Sequence, residues 1–263
     1  MYVEWGTRGV WHDGPMSVLD SWVKGRHTSP DGVSHPTYTK GAGTGVIVIH
    51  ELPGITPKVV AFAEEVVAHG HTVVLPQLFG EPGEPATGQN LSRSLMRLCV
   101  NGEFTKMALG QTTPVAGWLR SLARSLHATA GGTGVGAVGM CFTGGFALAM
   151  MVDEAVAAPV VCQPSVPFAF GRRRGADLNL SPADLEAVKA RAAAGCAVLG
   201  LRYRGDKATG TRFETLRREL GENFLAVEFD GSGHSVLTEH RVQAGVDRVL
   251  EFLDERLSSS AEG

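Results

Sequence analysis

Residues 135–150 read VGAVGMCFTGGFALAM, an apolar run broken by Gly-Met-Cys-Phe-Thr-Gly-Gly before a second apolar run begins. That pattern predicts a strand turning sharply into a helix, with Cys141 on the corner. A reactive group at such an elbow needs small residues two before it and two or three after it, because strand and helix backbones pass close there. Gly139, Thr143, Gly144 and Gly145 meet that need. The corner is also a helix N-terminus, where the dipole and unpaired N–H groups favour thiolate over thiol. Cys141 is therefore the candidate nucleophile. Two other readings compete with it. A free cysteine is commonly a small buried hydrophobe. Gly134-Val-Gly136-Ala-Val-Gly139 matches a dinucleotide fingerprint by letter, but its glycines precede and enter the strand instead of following it.

A cysteine nucleophile is activated by a histidine base, and a carboxylate behind that base fixes its tautomer and supports the imidazolium. In a parallel sheet these residues stand at the strands' C-terminal ends. His234 follows FLAVEFDGSG, Asp206 follows CAVLGLRYRG, and His50-Glu51 follows VIVI. The chain order nucleophile, acid, histidine is the one α/β hydrolases use. Asp230, at the end of the strand leading to His234, is the rival acid. Asp206 is preferred because the acid of this architecture follows the strand before the histidine's strand. His50-Glu51 is not a zinc-protease pair, since Gly54 stands where a second histidine would be needed. His69-Gly-His71 straddles a helix end and a strand start at the opposite edge and reads as structural.

The elements that must position these residues alternate. GVIVIHELPGI is a continuous β-branched run, the mark of a strand buried on both faces. Thr56-Pro57 caps a helix with Val59, Phe62, Ala63, Val66 and Val67 inward, and HTVVLPQL is the next strand. A helix containing PVAGWLRSLARSLH leads to the elbow strand, and the elbow helix is expected to run to about Glu154. APVVCQ, CAVLGLRY and NFLAVEF continue the sheet, separated by SPADLEAVKARAAAG, with Ser181 as cap, and ATGTRFETLRREL. The last helix places Val242, Val246, Val249, Leu250, Leu253 and Leu257 on one side. GVSHPTYTKG reads as an edge strand or hairpin. Residues 80–104 interrupt the rhythm with Pro/Gly turns and a short helix, a candidate lid. The sum is an α/β fold with a mostly parallel central sheet and helices on both faces. Residues 1–31 read as an N-terminal extension, 32–258 as one domain and 259–263 as a flexible tail.

At 263 residues and 43% apolar content, one domain of this kind can bury a large core. A net charge of −3 argues against nucleic acid or an anionic membrane as partner. Cys99, Cys141, Cys162 and Cys196 show no C-x-x-C spacing, so neither a zinc knuckle nor a thioredoxin motif is expected. MYVEWGTRGVWHDGP lacks the apolar core of a signal peptide, and no run approaches a membrane span. The expectation is a cytoplasmic protein, monomer or homodimer, with no metal and no cofactor.

Taken together, these residues resemble the dienelactone hydrolase family of α/β hydrolases. The family's G-x-C-x-G-G elbow is matched by Gly139-Met140-Cys141-Phe142-Thr143-Gly144, with Thr143 in place of one Gly. The resemblance covers roughly residues 32–258 and leaves the first thirty unexplained. It implies Cys141 as nucleophile, Asp206 and His234 as the rest of a triad, and Glu51 as a glutamate that contacts the resting thiol and is displaced by substrate. It further implies backbone N–H groups of Leu52 and Phe142 as oxyanion hole, and a thioester intermediate on an ester or lactone substrate. Members that hydrolyse dienelactone hold its carboxylate with two arginines, but the matching stretches here read FGEPGEP and HSVLTEH. The substrate expected is therefore an ester or lactone other than dienelactone. Arg93, Arg97 and Arg172 are candidate substitute clamps, although the Arg172 to Arg174 run reads more simply as a solvated surface. A non-catalytic ligand-binding protein on the same scaffold is the alternative, and a nicotinamide-dependent oxidoreductase ranks third.

Overall fold

Strands of Val, Ile and Leu with no polar alternation can be stable only between two layers of helices, and the computed structural model is built that way. It describes residues 17–100, 110–166, 168–169 and 171–258, without the side chains of 97–100. The extension before Ser17 and the tail after Ser258 lie outside the described residues.

Among the described residues one sheet of eight strands runs in the order β1-β2-β4-β3-β5-β6-β7-β8. In chain order these are β1 (Val23–Thr28), β2 (Ser34–Lys40), β3 (Gly45–Ile49), β4 (Thr72–Pro76), β5 (Val135–Met140), β6 (Val156–Cys162), β7 (Val198–Tyr203) and β8 (Phe224–Phe229). The first two form an antiparallel hairpin, β2 pairs antiparallel with β4, and β3 to β8 are parallel. The GVSHPTYTKG stretch is thus the inner arm of a hairpin. Its outer arm, β1, lies inside the stretch read as an extension, so the sheet begins ahead of residue 32.

The helices are α1 (Pro57–Ala68), α2 (Gly88–Val100), α3 (Val115–Ala130), α4 (Gly144–Met150), α5 (Arg172–Ala176), α6 (Pro182–Ala193), α7 (Arg212–Leu220) and α8 (Gln243–Leu257). Thr56 and Ser181 cap α1 and α6, each hydroxyl accepting from the N–H three residues on, ahead of a proline at the first helical position. One core joins the sheet to α1 and α8 through Val59, Phe62, Val246 and Phe252. The other joins it to α3, α4, α6 and α7 through Trp118, Phe146, Val188 and Phe213. The elbow helix α4 stops at Met150, short of the expected Glu154. Within the 80–104 excursion, α2 docks on the turn after β3, its Ser94 hydroxyl donating to the Pro53 carbonyl at 2.6 Å. Residues 101–104 of the candidate lid lie outside the described residues.

Candidate active site

β5 ends at Met140, and the chain folds back at once into a 3₁₀ turn and then α4. The turn is tight enough that Cys141 sits at φ 53°, left-handed backbone that a side chain tolerates only when its surroundings enforce it. They do so here through contact. A Cβ at Gly139 would stand 2.4 Å from the Thr143 carbonyl oxygen, and one at Gly144 would stand 2.7 Å from Pro164 Cα. Thr143, where the family pattern has glycine, laces the corner together. Its hydroxyl accepts from the Met140 N–H at 3.1 Å and lies 3.1 Å and 3.2 Å from the Ile49 and His50 carbonyl oxygens at the end of β3.

The structure brings the expected partners to this corner. His234, on the turn after β8, has its Nδ1 at 2.8 Å from Asp206 Oδ2, on the turn after β7. Asp206 is held in turn by the Thr209 hydroxyl at 2.6 Å and the Ala208 N–H at 2.9 Å. Burial disfavours the ionised carboxyl, but His234 and these two donors outweigh it and hold Asp206 below the usual carboxylate range. For His234, burial works against the cation; hydrogen bonds to Asp206 and to Cys141 overcome it and raise the imidazole to about 10. The rival acid Asp230 is almost fully exposed and faces Arg204 at 3.3 Å.

Cys141 is half-buried, and its Sγ lies 3.4 Å from Ser165 Oγ. Glu51 is buried in the turn after β3, with the Ser235 hydroxyl donating to Oε2 at 2.8 Å and the Thr238 hydroxyl donating to Oε1. Among the described residues the Cys141 sulfur contacts Ser165 and not Glu51, whose carboxylate oxygens instead meet the hydroxyls one and four residues past His234. Burial raises the Glu51 pKa, against the pull of those two hydroxyls. Cys162, at the end of β6, is fully buried, and burial together with Glu51 keeps it a thiol.

Leu52 and Phe142 stand at the C-terminal ends of neighbouring strands, whose last registered pair is Ile49 with Gly139. Arg93 on α2 pairs with Glu84 of the same excursion at 3.7 Å, and Arg172 is exposed at the first position of α5. Neither contact involves the sulfur or the imidazole. The side chain of Arg97 lies outside the described residues. His69 and His71 share Asp254 at the opposite end of the sheet, at 2.7 Å and 3.4 Å, in keeping with a structural role. Among the described residues no three His, Cys, Asp or Glu side chains are grouped to hold a metal ion, and no helix is long and apolar enough to cross a membrane.

Residues 33–195 match the model of the dienelactone hydrolase family. The chain belongs to this family. No curated protein matches its sequence. Among solved structures it is similar to an α/β hydrolase from Penicillium sp. sh18 (14% identity, TM-score 0.64, covering 90% of this chain and 99% of that one). It is also similar to a dienelactone hydrolase from Anabaena variabilis (16%, 0.62, 90% and 99%). A cold-adapted esterase from an Arctic intertidal metagenomic library is similar as well (16%, 0.60, 90% and 95%). The fold of this dienelactone hydrolase family member is the α/β-hydrolase fold, and the family is one of hydrolases.

Several residues that shape the site give no signal in the sequence. Gln163 follows β6 as Cys141 follows β5, since Met140 and Cys162 are the last registered pair, and it too is left-handed, at φ 32°. Ser165 then returns to the sulfur. Arg212, fully buried at the start of α7, donates to the carbonyls of Arg174, Asp177, Ala208 and Thr209 at 2.8–3.2 Å and so ties down the Asp206 loop. Burial lowers its pKa to about 10, against the fields of Asp177 and Asp206. His50, behind the β3 turn, accepts at Nε2 from the Leu78 N–H at 3.1 Å and so donates from Nδ1 to the Glu51 carbonyl at 3.1 Å. Burial drops its pKa to about 4.

Proposed function

We propose that this protein hydrolyses an ester or lactone through a thioester on Cys141. The observation that carries the reading is the 2.8 Å contact of His234 with Asp206 beside a cysteine held in left-handed backbone at the elbow. His234 takes the thiol proton. The sulfur attacks the carbonyl carbon, and the backbone N–H groups of Phe142 and Leu52 meet the charge that develops on its oxygen. Asp206 keeps the imidazole in the tautomer that accepts at Nε2 and supports the imidazolium. The imidazolium then gives its proton to the departing alkoxide. In the second half His234 removes a proton from water as it attacks the thioester, the carboxylic acid leaves, and the imidazolium returns that proton to sulfur, so that thiol and neutral imidazole are restored.

The substrate proposed is not dienelactone. FGEPGEP and HSVLTEH supply no arginine where the family's carboxylate clamp would be, and Arg93 is paired with Glu84. Arg172 is exposed at the start of α5. A neutral acyl group is the class proposed, since Glu84 already occupies the Arg93 guanidinium that could otherwise meet an anion. The test is turnover of p-nitrophenyl acetate by the purified protein and by Cys141→Ala. Hydrolysis by the parent and its loss in the variant are expected; equal turnover by both would end the proposal.

A further inference from the structure

We infer that His240 is a positioning residue for the catalytic base: its Nδ1 accepts the backbone N–H groups of His234 and Ser235, sets the turn on which the base stands, and releases that turn when it takes a proton. The inference rests on His234 being the base. The chain after β8 doubles back on itself between His234 and His240. At the closing end the His240 N–H donates to the Ser235 carbonyl at 2.9 Å, and the Tyr203 hydroxyl, from the end of β7, donates to the His240 carbonyl. The ring is thereby held against the start of the turn, with Nδ1 at 3.4 Å from the amide nitrogens of both His234 and Ser235. Each bond is long, because one ring lone pair serves two donors. Gly233 permits the approach: a Cβ there would stand 2.7 Å from Tyr203 Cε2 and 3.0 Å from His240 Cβ.

Backbone N–H groups can only donate, so the ring carries its proton on Nε2 and offers Nδ1 as acceptor. A proton taken from solvent onto Nδ1 fills that lone pair and sets a third donor against the other two. The charges around the ring are engaged elsewhere. Glu239 pairs with Lys58 and Arg241 with Glu65, each at 2.7 Å, and Asp230 faces Arg204 at 3.3 Å. Asp206 is held by His234, and Glu51 by Ser235 and Thr238. Among the described residues none of these carboxylates pairs with the His240 ring, so an imidazolium there has nothing to keep it in place. Both halves of the site feel its release. The same turn carries His234 to Asp206 and brings the Ser235 and Thr238 hydroxyls to Glu51.

The test is NMR of the protein, with the His240 Cε1 proton and the His234 and Ser235 amides followed from about pH 8 to pH 5, the span in which histidine changes charge. Both amides are expected to move along the His240 ring's own curve. That component is expected to vanish in His240→Asn, whose Oδ1 takes the place of Nδ1 as acceptor and does not take the proton. Turnover of p-nitrophenyl acetate gives the second readout. His240→Leu, which accepts nothing, is expected to lower kcat about tenfold with KM little changed, while the asparagine variant keeps most of it. The ratio of parent to asparagine kcat is expected to fall as pH drops, since the two proteins share every other titrating group. Should the leucine variant fail to fold, the parent's titration and that ratio decide the matter. Amides that ignore the His240 curve overturn the inference, and so does a ratio flat across pH or a leucine variant as active as the asparagine one. If no ester is turned over yet the amides follow the ring, the hydrolase proposal fails and the hold of His240 on the turn stands.

Discussion

At the scale of the residue, what distinguishes this site is the division of labour among short polar side chains. Thr143 shows it most simply. Its hydroxyl satisfies the Met140 N–H and reaches the carbonyls that end β3, so the strained corner and the turn carrying Glu51 and Leu52 move as one piece. Thr143→Val keeps the shape and strands a buried N–H, which costs about 1–3 kcal/mol. Urea unfolding that shows no loss would contradict the role. Asp206→Asn leaves the contact distance available but no longer enforces the accepting tautomer at Nε2, and kcat is expected to fall by at least about a hundredfold. Stopped-flow turnover of an activated ester measures it. The triad candidates were legible in the sequence because each follows a recognisable strand and the elbow fixes where to look. Ser165, Ser235 and Thr238 were not. A hydroxyl gains its role only from what the fold places opposite it, and the same fold gave Glu51 partners other than the sulfur.

Elements set these positions, and two ties between elements carry consequences. α2 is held to the β3 turn by Ser94 and the Pro53 carbonyl, next to the Leu52 N–H proposed for the oxyanion hole. Ser94→Ala is expected to lower kcat about fivefold with the melting temperature little changed, since one neutral hydrogen bond is released at an already ordered helix. Unchanged kcat would show that α2 does not steady that turn. Arg212 binds four carbonyls across α5, the Asp206 loop and α7. Arg212→Leu removes the guanidinium from all four carbonyls and leaves those of Arg174 and Thr209 only long backbone partners at 3.3 Å and 3.5 Å, and a loss of about 3 kcal/mol is expected in chemical denaturation. The strands β3 to β8 could be read as such because unbroken apolar runs have few other uses, and the capped helices α1 and α6 because Thr56-Pro57 and Ser181-Pro182 are local signals. β1 could not. Its residues, VKGRHT, are exposed along an edge and have no apolar alternation.

For the whole molecule, pH bounds stability from both sides by the same rule of linkage. His50 has a folded pKa of about 4 against an ordinary 6.5, so below 6.5 the unfolded chain takes up a proton the fold refuses. Stability therefore falls as pH drops through that window, by up to about 3 kcal/mol, and His50→Gln is expected to flatten this acid limb. His234 has the opposite sign. Its folded pKa of about 10 lies above 6.5, so its contribution is complete below 6.5 and is lost as pH rises through 10. Asp206→Asn is expected to weaken that alkaline limb in the same melts. The α/β architecture and the convergence of residues spread from Glu51 to His234 follow from strand order alone once β3, β5, β6, β7 and β8 are parallel neighbours in one sheet. What the sheet cannot dictate is which atom the sulfur bonds during catalysis. Acid quenching of the protein during the first turnover of p-nitrophenyl acetate, followed by peptide mass spectrometry, reads that directly. An acetyl group on the peptide bearing Cys141, appearing and decaying at the rate of turnover, is the result predicted. Sustained hydrolysis with that peptide unmodified throughout would contradict it.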